Sequence, residues 1–381
     1  MKKIISLALS VLLMMTALAA CGNKKSEDDS SSGNSSASVA DDTSVDNSSE
    51  KETASSNQTL TLYTWAGMFS QELLDDFKEK TGISVTYATF DSDETMLAKL
   101  QTEKGGTYDL VIADDYIIEL AIDEKLVAPI DKAKLSHYDS INPEYQKQFF
   151  DPNDEFTVPL AAGVQTIVYN PDMVEKEITG YEDLWDSSFE NNLALTANYR
   201  VMNGMALKIL GESYNTEDIA VIEKAGEKLN ELAPNVRLIK DDDLQNALLS
   251  GEVSAGVMYT AQVTKAKMTN PGLKVVFPKE GIGLGIMAQF IPSDAPNPNA
   301  AHEFIDYLLT PEIAAKYYEY LGYYSTNKDA DELISEEYRE FLTLPKEISS
   351  EDMEMIELIS PEATEAHEKV WTAFKTAAGQ S

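Results

Sequence analysis

Cysteine, histidine and basic residues are scarce in this chain, and each shortage excludes a class of protein. The 381 residues include one Cys, three His and 30 Lys+Arg against 65 Asp+Glu. One cysteine cannot build a disulfide framework, and three scattered histidines do not suggest a zinc site. A net charge of −35 repels phosphate, which excludes a nucleic-acid-binding protein. The 43% of hydrophobic residues is typical of a folded chain, and the length suggests two domains or one domain with a large insertion.

Residues 1–21 have the pattern of a lipoprotein signal peptide. Lys2 and Lys3 precede an apolar run over residues 4–15, which is shorter than the roughly 20 residues that span a bilayer. The run leads to Leu18-Ala19-Ala20-Cys21, which resembles the lipobox of bacterial lipoproteins. We therefore expect Cys21 to be lipidated and to anchor the protein. The alternative is an ordinary secretory signal with a chance cysteine.

Residues 22–58 are expected to form a flexible tether between the membrane and the folded part. Twelve of these 37 residues are Ser, eight are acidic and none is aromatic. Such a segment buries too little apolar surface to offset its ordering entropy. The long Ser/Asp-rich tether favours the extracytoplasmic face of a Gram-positive cell membrane over a periplasm.

The remaining chain alternates strand and helix patterns, which predicts an α/β fold. In residues 59–130, Ser70 is positioned to cap a helix that Gly82 ends, and residues 108–113 read as a buried parallel strand. A second α/β region begins near Gly163. We expect two lobes joined by more than one crossing strand, with a ligand cleft at the carboxyl ends of the strands. The predicted first lobe is 59–163 plus 288–325, and the second is 164–287 plus 326–381.

Several short stretches follow one another in the order of a known family. They are Leu62-Tyr63-Thr64-Trp65, Glu94-Thr95-Met96, Tyr108-Asp109-Leu110-Val111, Phe150-Asp151-Pro152-Asn153, Asp183-Leu184-Trp185, Gly251-Glu252-Val253, Pro278-Lys279-Glu280-Gly281 and Gly322-Tyr323. The chain thereby resembles the bacterial extracellular solute-binding proteins of the spermidine/putrescine type, which feed ABC importers. The resemblance implies a two-lobed periplasmic-binding-protein fold (type II-like), a membrane permease as partner and no cofactor.

In that family, aromatic side chains sandwich the methylene chain of the polyamine and carboxylates bind its ammonium groups. The resemblance places four aromatic residues in the cleft. Trp65 follows the first strand and Tyr116 follows the third. Tyr259 stands where the family has tryptophan, and Tyr323 matches the tyrosine of the Gly-Tyr corner.

The acidic part of the family's site is largely replaced. The places of two family carboxylates hold Asn198 and Val201, and Gly285-Ile286-Met287 replaces a Trp-x-Asp. Asp114 and Asp115 stand where the family has small hydroxyl residues beside Tyr116. We expect Asn198 to make a polar ligand contact and one of the two aspartates to hold a cation, while the other caps the following helix.

Other charged residues are expected to be structural. Arg200 would pair with an acid, and the run Asp241-Asp242-Asp243 would cap the next helix. No metal site is expected, since the run lacks the spacing of a calcium loop.

The sequence thus favours a monomeric, lipid-anchored binding protein that captures a polyamine or a related amine. Thiamine-like cations, amino-acid derivatives and phosphonates remain as other ligands. An exported hydrolase is an alternative of another class, although Gly-x-Ser-x-Gly and His-Glu-x-x-His are absent. A surface protein that binds no ligand is a third.

Overall fold

Strands and helices alternate along the part of the chain that the structure, a computed structural model, describes: residues 58–104, 106–241, 243–342 and 352–380. The predicted signal peptide, Cys21 and all of the tether except Gln58 lie outside these residues. The strands are β1 (Thr59–Thr64), β2 (Ser84–Thr89), β3 (Leu110–Asp114), β4 (Val127–Ala128), β5 (Thr157–Tyr169), β6 (Leu193–Leu195), β7 (Val236–Ile239), β8 (Ala255–Tyr259), β9 (Lys274–Val276), β10 (Ile282–Pro292), β11 (Tyr324–Ser325) and β12 (Met353–Met355).

Eleven α-helices lie between or after these strands in the described part of the chain. They are α1 (Gln71–Thr81), α2 (Asp93–Glu103), α3 (Asp115–Asp123), α4 (Tyr199–Ile209), α5 (Ile219–Leu232), α6 (Leu244–Leu249), α7 (Thr260–Thr269), α8 (Pro298–Leu309), α9 (Pro311–Leu321), α10 (Glu336–Arg339) and α11 (Pro361–Ala377). No helix within the described ranges is long and apolar enough to cross a membrane.

Two long strands connect the lobes, as the sequence predicts. The sheet has the order β2-β1-β3-β10-β5-β8-β6-β7. Residues 157–164 of β5 pair with β10, whereas residues 165–169 pair with β8. Strand β10 returns in the antiparallel direction and pairs with β3 at its far end. The two α/β lobes are therefore halves of one continuous sheet, with β5 and β10 passing between them.

Local sequence signals explain where the elements of the first lobe begin and end. Ser70 Oγ accepts the Leu73 N–H at the start of α1, and Gly82 ends the helix with a φ of 77° that favours glycine. Residues 110–113 of β3 are fully buried because helices cover both faces of the sheet. One face packs against α1, α8 and α9, and the other packs against α2 and α3.

The lobe boundary differs from the predicted one near the C-terminus. The sequence reading assigns residues 326–381 to the second lobe, but Ala330, Ile334 and Leu342 pack in the core around β1, α8 and α9. The Ser325 N–H donates to the Leu342 carbonyl and holds this segment there. Second-lobe packing resumes with Ile356 and with the aromatic face of α11.

Candidate ligand-binding site

A cavity of about 510 Å³ lies between the two lobes, at the ends of the strands. This volume is within the range of small-molecule sites. The structure brings all seven sequence-predicted ligand residues to its wall: Trp65, Asp114, Asp115, Tyr116, Asn198, Tyr259 and Tyr323. Their contact with a ligand stays a prediction.

Trp65 and Tyr116 form the aromatic wall of the first lobe. Trp65 directly follows β1, and its ring meets Phe90 edge-on with centroids 4.9 Å apart. The Tyr116 hydroxyl donates to Glu94 Oε1 at 3.1 Å. Each ring is half-buried, so one side packs on protein while the rest faces the cavity.

Asp114 and Asp115 take different roles at the start of α3. Asp115 is 2% exposed, and its carboxylate accepts the N–H groups of Ile286 and Tyr116, both at 2.9 Å. Asp114 occupies the N-cap position of α3, but its side chain makes no capping hydrogen bond. Neither aspartate therefore caps in the predicted way: Asp115 ties α3 to β10, and the Asp114 carboxyl remains at the cavity wall.

Asp93, the first residue of α2, completes an acidic group that the sequence reading missed. It is 6% exposed, and its Oδ1 accepts the Asp114 N–H at 3.4 Å. Burial raises the pKa of Asp114 to about 7, with a further increase from Glu94 that a hydrogen bond with Asp93 opposes. Burial, and then the charge of Asp114, also raise the pKa values of Asp93 and Asp115 well above the usual range.

Asn198 and Arg200 define the second-lobe wall at α4. Asn198 caps α4, since its Oδ1 accepts the Val201 N–H at 3.1 Å. Arg200 is 3% exposed and structural, as expected. Its partners, however, are the carbonyls of Glu357 and Tyr214 and the side-chain oxygen of Asn215, instead of a carboxylate.

Asp241 corrects the prediction that the aspartate run caps α6. Asp241 Oδ1 accepts the Thr196 hydroxyl and the Ala197 N–H, both at 3.0 Å, and the residue lines the cavity. Asp243 is the N-cap of α6 by backbone position only: its side chain makes no capping hydrogen bond and instead accepts one from Gln245 Nε2 at 3.4 Å. Asp242 lies outside the described residues.

Tyr259 and Tyr323 line the same cavity as Asp114 and Asp241. Burial and then Asp241 raise the pKa of Tyr259, with a smaller effect of Asp114. Burial and then Asp114 and Asp241 raise the pKa of Tyr323. Because both carboxyls raise the pKa of both phenols, the tyrosines lie within electrostatic reach of acids from both lobes. Gly163 admits the Tyr323 ring, since a Cβ there would lie 2.6 Å from Cδ1.

The cavity is strongly acidic overall. Seven carboxylates line it, against two basic side chains, Arg200 and Lys265. In the part of the chain that the structure describes, no ion pair involves a cavity carboxylate. Of the seven, the sequence reading missed Asp91, Asp93, Glu94, Asp241 and Asp243. Their signal was available, because these residues follow β2 and β7 at the strand ends.

One group of serine, histidine and aspartate side chains meets outside the cavity. Ser136 and His137 contact Asp306 on the surface of the first lobe, but the Ser136 hydroxyl donates to the Asp306 carboxylate at 2.6 Å. Ser136 Oγ also lies 3.2 Å from His137 Nδ1, the ring nitrogen that is equally close to Asp306 Oδ1, and none of the three residues lines the cavity. Within the described ranges, no group of three or more His, Cys, Asp or Glu residues is arranged to hold a metal ion.

Comparisons with known proteins agree with this architecture. Residues 72–343 match the family model described as "Bacterial extracellular solute-binding protein". The spermidine/putrescine-binding periplasmic protein of Salmonella typhimurium is 39% identical over 285 residues, which are 74% of this chain and 82% of the relative. The Escherichia coli protein of the same name is 36% identical over 292 residues, 76% of this chain and 84% of that protein.

Solved structures give the same result. A spermidine/putrescine ABC transporter substrate-binding protein from Streptococcus pneumoniae superposes with a TM-score of 0.74 at 33% identity, covering 84% of this chain and 100% of that one. A putative spermidine/putrescine ABC transporter from Listeria monocytogenes gives a TM-score of 0.78 at 30% identity, with 84% and 99% covered. The predicted two-lobed fold is confirmed.

The predicted family and the absence of an enzymatic role are confirmed by the same matches. These relatives are extracytoplasmic substrate-binding proteins of ABC transporters, which bind a small solute and work with a permease. The family model and the relatives match this chain over most of its length, and this protein belongs to the bacterial extracellular solute-binding proteins.

Proposed function

We propose that this protein is the lipid-anchored substrate-binding protein of an ABC importer and that it captures a polyamine, spermidine or putrescine, or a related amine. One observation carries the proposal: a single interlobe cavity combines seven carboxylates with five aromatic side chains. A polyamine is a string of ammonium groups joined by apolar links. Carboxylates suit the first part and aromatic faces suit both.

The placement of charge supports a ligand with two cationic ends. Asp114 belongs to the first lobe and Asp241 to the second, and Tyr259 and Tyr323 line the same cavity. One ammonium group binds near each carboxylate while the methylene chain lies along the tyrosines. Trp65 and Tyr116 cover the chain from the first-lobe side. Binding to both lobes at once would favour the closed state of the cleft.

The family's missing carboxylates do not leave the site without acids. Asn198, Val201 and Met287 line the wall where the family's acids are lost. The lobe-one acids at residues 91–94 and Asp241 supply charge from other elements. The side-chain oxygen of Asn198 already accepts the Val201 N–H at the α4 cap, so its side-chain nitrogen is the group that contacts the ligand in this proposal.

Other ligands fit less well. A thiamine-like cation or an amino-acid derivative would use one acidic group and leave the other unpaired. A phosphonate would meet the repulsion of seven carboxylates. The names of the relatives described above, in which spermidine and putrescine recur, favour the polyamine.

A thermal unfolding screen of the purified full-length chain tests the ligand. A ligand at 100 times its Kd stabilises a protein by about 2.7 kcal/mol. We expect putrescine and spermidine to raise the melting temperature, whereas butane-1,4-diol, which matches putrescine in length without its charges, should not. No shift with any amine, or an equal shift with the diol, would overturn the proposal.

The anchor and the location are the second part of the proposal. Lipidation of Cys21 would hold the monomeric protein on the extracytoplasmic face of the membrane, beside its permease, with residues 22–58 as the tether. The composition of residues 1–58 supports this part, including the preference for a Gram-positive surface. Metabolic labelling with an alkynyl fatty acid should mark the wild-type chain and not Cys21→Ser. Equal labelling of both would refute it.

A further inference from the structure

The acidic group of the first lobe contains two carboxyls with which no basic side chain of the described ranges forms an ion pair. Asp93 begins α2 and Asp114 ends β3, and the Asp114 N–H donates to Asp93 Oδ1. Asp93 is buried to 94% yet lines the cavity. The Asp114 side chain makes no capping hydrogen bond. Asp115, the third acid, differs because two backbone N–H groups already satisfy its carboxylate.

The charged groups around this pair would increase the cost of ionising both carboxyls. Helix α2 contributes Glu94, and α3 contributes Asp115 and Tyr116. The cavity wall adds further titratable groups: Asp91 before α2, Tyr199 and Arg200 of α4, Tyr259 of β8, Lys265 of α7, Tyr323 before β11, and Asp241 and Asp243 after β7. Arg200 and Lys265 are the cations among them. The hydrogen bonds of Arg200 go to Tyr214, Asn215 and Glu357, and within the described residues neither cation forms an ion pair with Asp93 or Asp114.

Asp93 is buried and Asp114 is partly buried. Two adjacent carboxyls in such a setting, with little compensating charge, hold a proton rather than ionise together. The raised pKa values of both groups agree with this geometry, and that of Asp114, about 7, lies in the physiological range. An ammonium group placed against the pair would supply the missing positive charge. The proton would then have no electrostatic advantage.

We propose that the carboxyls of Asp93 and Asp114 form one ammonium subsite, share a proton in the ligand-free protein and release that proton to solvent when an ammonium group binds. The inference rests on the proposed function, because it requires a cationic ligand. The step is an exchange. The O–H bond of the shared proton breaks and water takes the proton. The two carboxylates then accept hydrogen bonds from the N–H groups of the ligand's ammonium. Capture is thus coupled to pH, and Asp93 becomes a specificity-determining residue for a charged amine.

The exchange predicts a definite pH dependence of affinity. Aliphatic ammonium groups keep their charge below about pH 9, so only the protein titrates between pH 5.5 and 8.5. As the pH rises toward about 7, the Kd for putrescine should fall about tenfold per pH unit, and above about pH 8 the Kd should stay constant. Calorimetry in two buffers of different ionisation enthalpy should give close to one proton released at pH 6 and none at pH 8.5.

Variants separate the exchange from a merely structural role. Asp93→Asn leaves one carboxyl, whose pKa burial still raises but which has no second acid to share a proton with, so the slope and the proton release should shrink. Binding at pH 8.5 should weaken, while the disadvantage at pH 6 should shrink or reverse. Asp114→Asn should act the same way. Asp123→Asn is the matched control, because Asp123 is exposed at the far end of α3 and does not line the cavity.

Each outcome decides a different claim. No binding of putrescine or spermidine at any pH overturns the proposed function itself. Tight binding with a flat pH profile and no buffer-dependent heat leaves the proposed function in place and overturns the exchange. A loss of affinity in Asp93→Asn that is equal at pH 6 and pH 8.5 also overturns it. Circular dichroism and thermal unfolding confirm that each variant is folded before it is scored.

Discussion

Gly163→Ala should weaken ligand binding by displacing Tyr323, even though alanine adds one methyl group. A Cβ at residue 163 would lie 2.6 Å from Cδ1 and 2.7 Å from Cε1 of the Tyr323 ring. Carbons in contact stay about 3.5 Å apart, so the ring or β5 must move by about 1 Å. Overpacking of this kind costs about 1–3 kcal/mol of stability.

The loss in binding follows because the Tyr323 ring lines the same cavity as Asp114 and Asp241. A cation–π contact contributes about 0.5–2 kcal/mol, so Gly163→Ala should weaken putrescine binding by about 2- to 30-fold. Isothermal titration calorimetry at pH 8.5, where the carboxyls are ionised, measures this difference. In a Tyr323→Ala background, the same glycine substitution should cost little further affinity, because the ring it displaces is gone.

Gly285 provides the matched comparison for folding. It pairs directly with Gly163 across β10 and β5, but a Cβ at residue 285 would meet no atom within 4 Å. Gly285→Ala should therefore leave the free energy of unfolding in urea nearly unchanged, whereas Gly163→Ala lowers it. Wild-type affinity in Gly163→Ala, or equal destabilisation by both substitutions, would refute the reasoning.

Three further predictions concern single side chains. Burial lowers the pKa of His367 to about 4, so the folded protein holds this imidazole neutral. Burying the neutral ring adds to the free energy of unfolding above about pH 6.5, and this contribution is lost as the pH falls toward 4. Relative to His367→Gln, the wild type should lose about 2.5 kcal/mol of unfolding free energy between pH 7.5 and 4.5 in denaturant titrations, and parallel curves would contradict this. The Asp151 carboxylate accepts hydrogen bonds from three backbone N–H groups and from the Thr157 hydroxyl. Asp151→Ala should therefore lower the free energy of unfolding by at least about 3 kcal/mol. Asp139→Ala is the control, because Asp139 is exposed. Asp241→Asn should weaken putrescine binding more than binding of butylamine, which has one ammonium group; an equal loss for both would remove Asp241 from the dication model.

Sequence patterns were informative wherever the cause was local. The cap at Ser70 and the glycine end at Gly82 follow from side-chain and backbone chemistry within a few residues. The same signals exist at Asp218 and Ser360, which cap α5 and α11, although the sequence reading assigned no helix there. The second α/β region is predicted to start near Gly163, but β5 begins at Thr157, because pairing with β10 extends the buried strand back into the first lobe.

The candidate site was predictable in part. The resemblance to solute-binding proteins placed Trp65, Tyr116 and Tyr259 in the cleft, and they line the cavity. Each lies at the carboxyl end of a strand, where ligand sites of α/β sheets are found. The acids of residues 91–94 and Asp241 were missed, since their patterns fit a helix start equally well. These acids stand at helix starts that also form the cavity wall. Only the position of the facing lobe shows that they line a cavity.

By itself, the sequence determined the acidic excess of the chain, the local starts and ends of many elements and the likeness to solute-binding proteins. These depend on residue type and short spacing. Tertiary structure alone decided that Asp114 faces the cavity while Asp115 bonds to β10, that Asp93 lies beside Asp114, and that residues 326–342 pack in the first lobe. Each of these depends on groups more than 15 residues apart in sequence, and such contacts are set by how sheets and helices pack rather than by local preference.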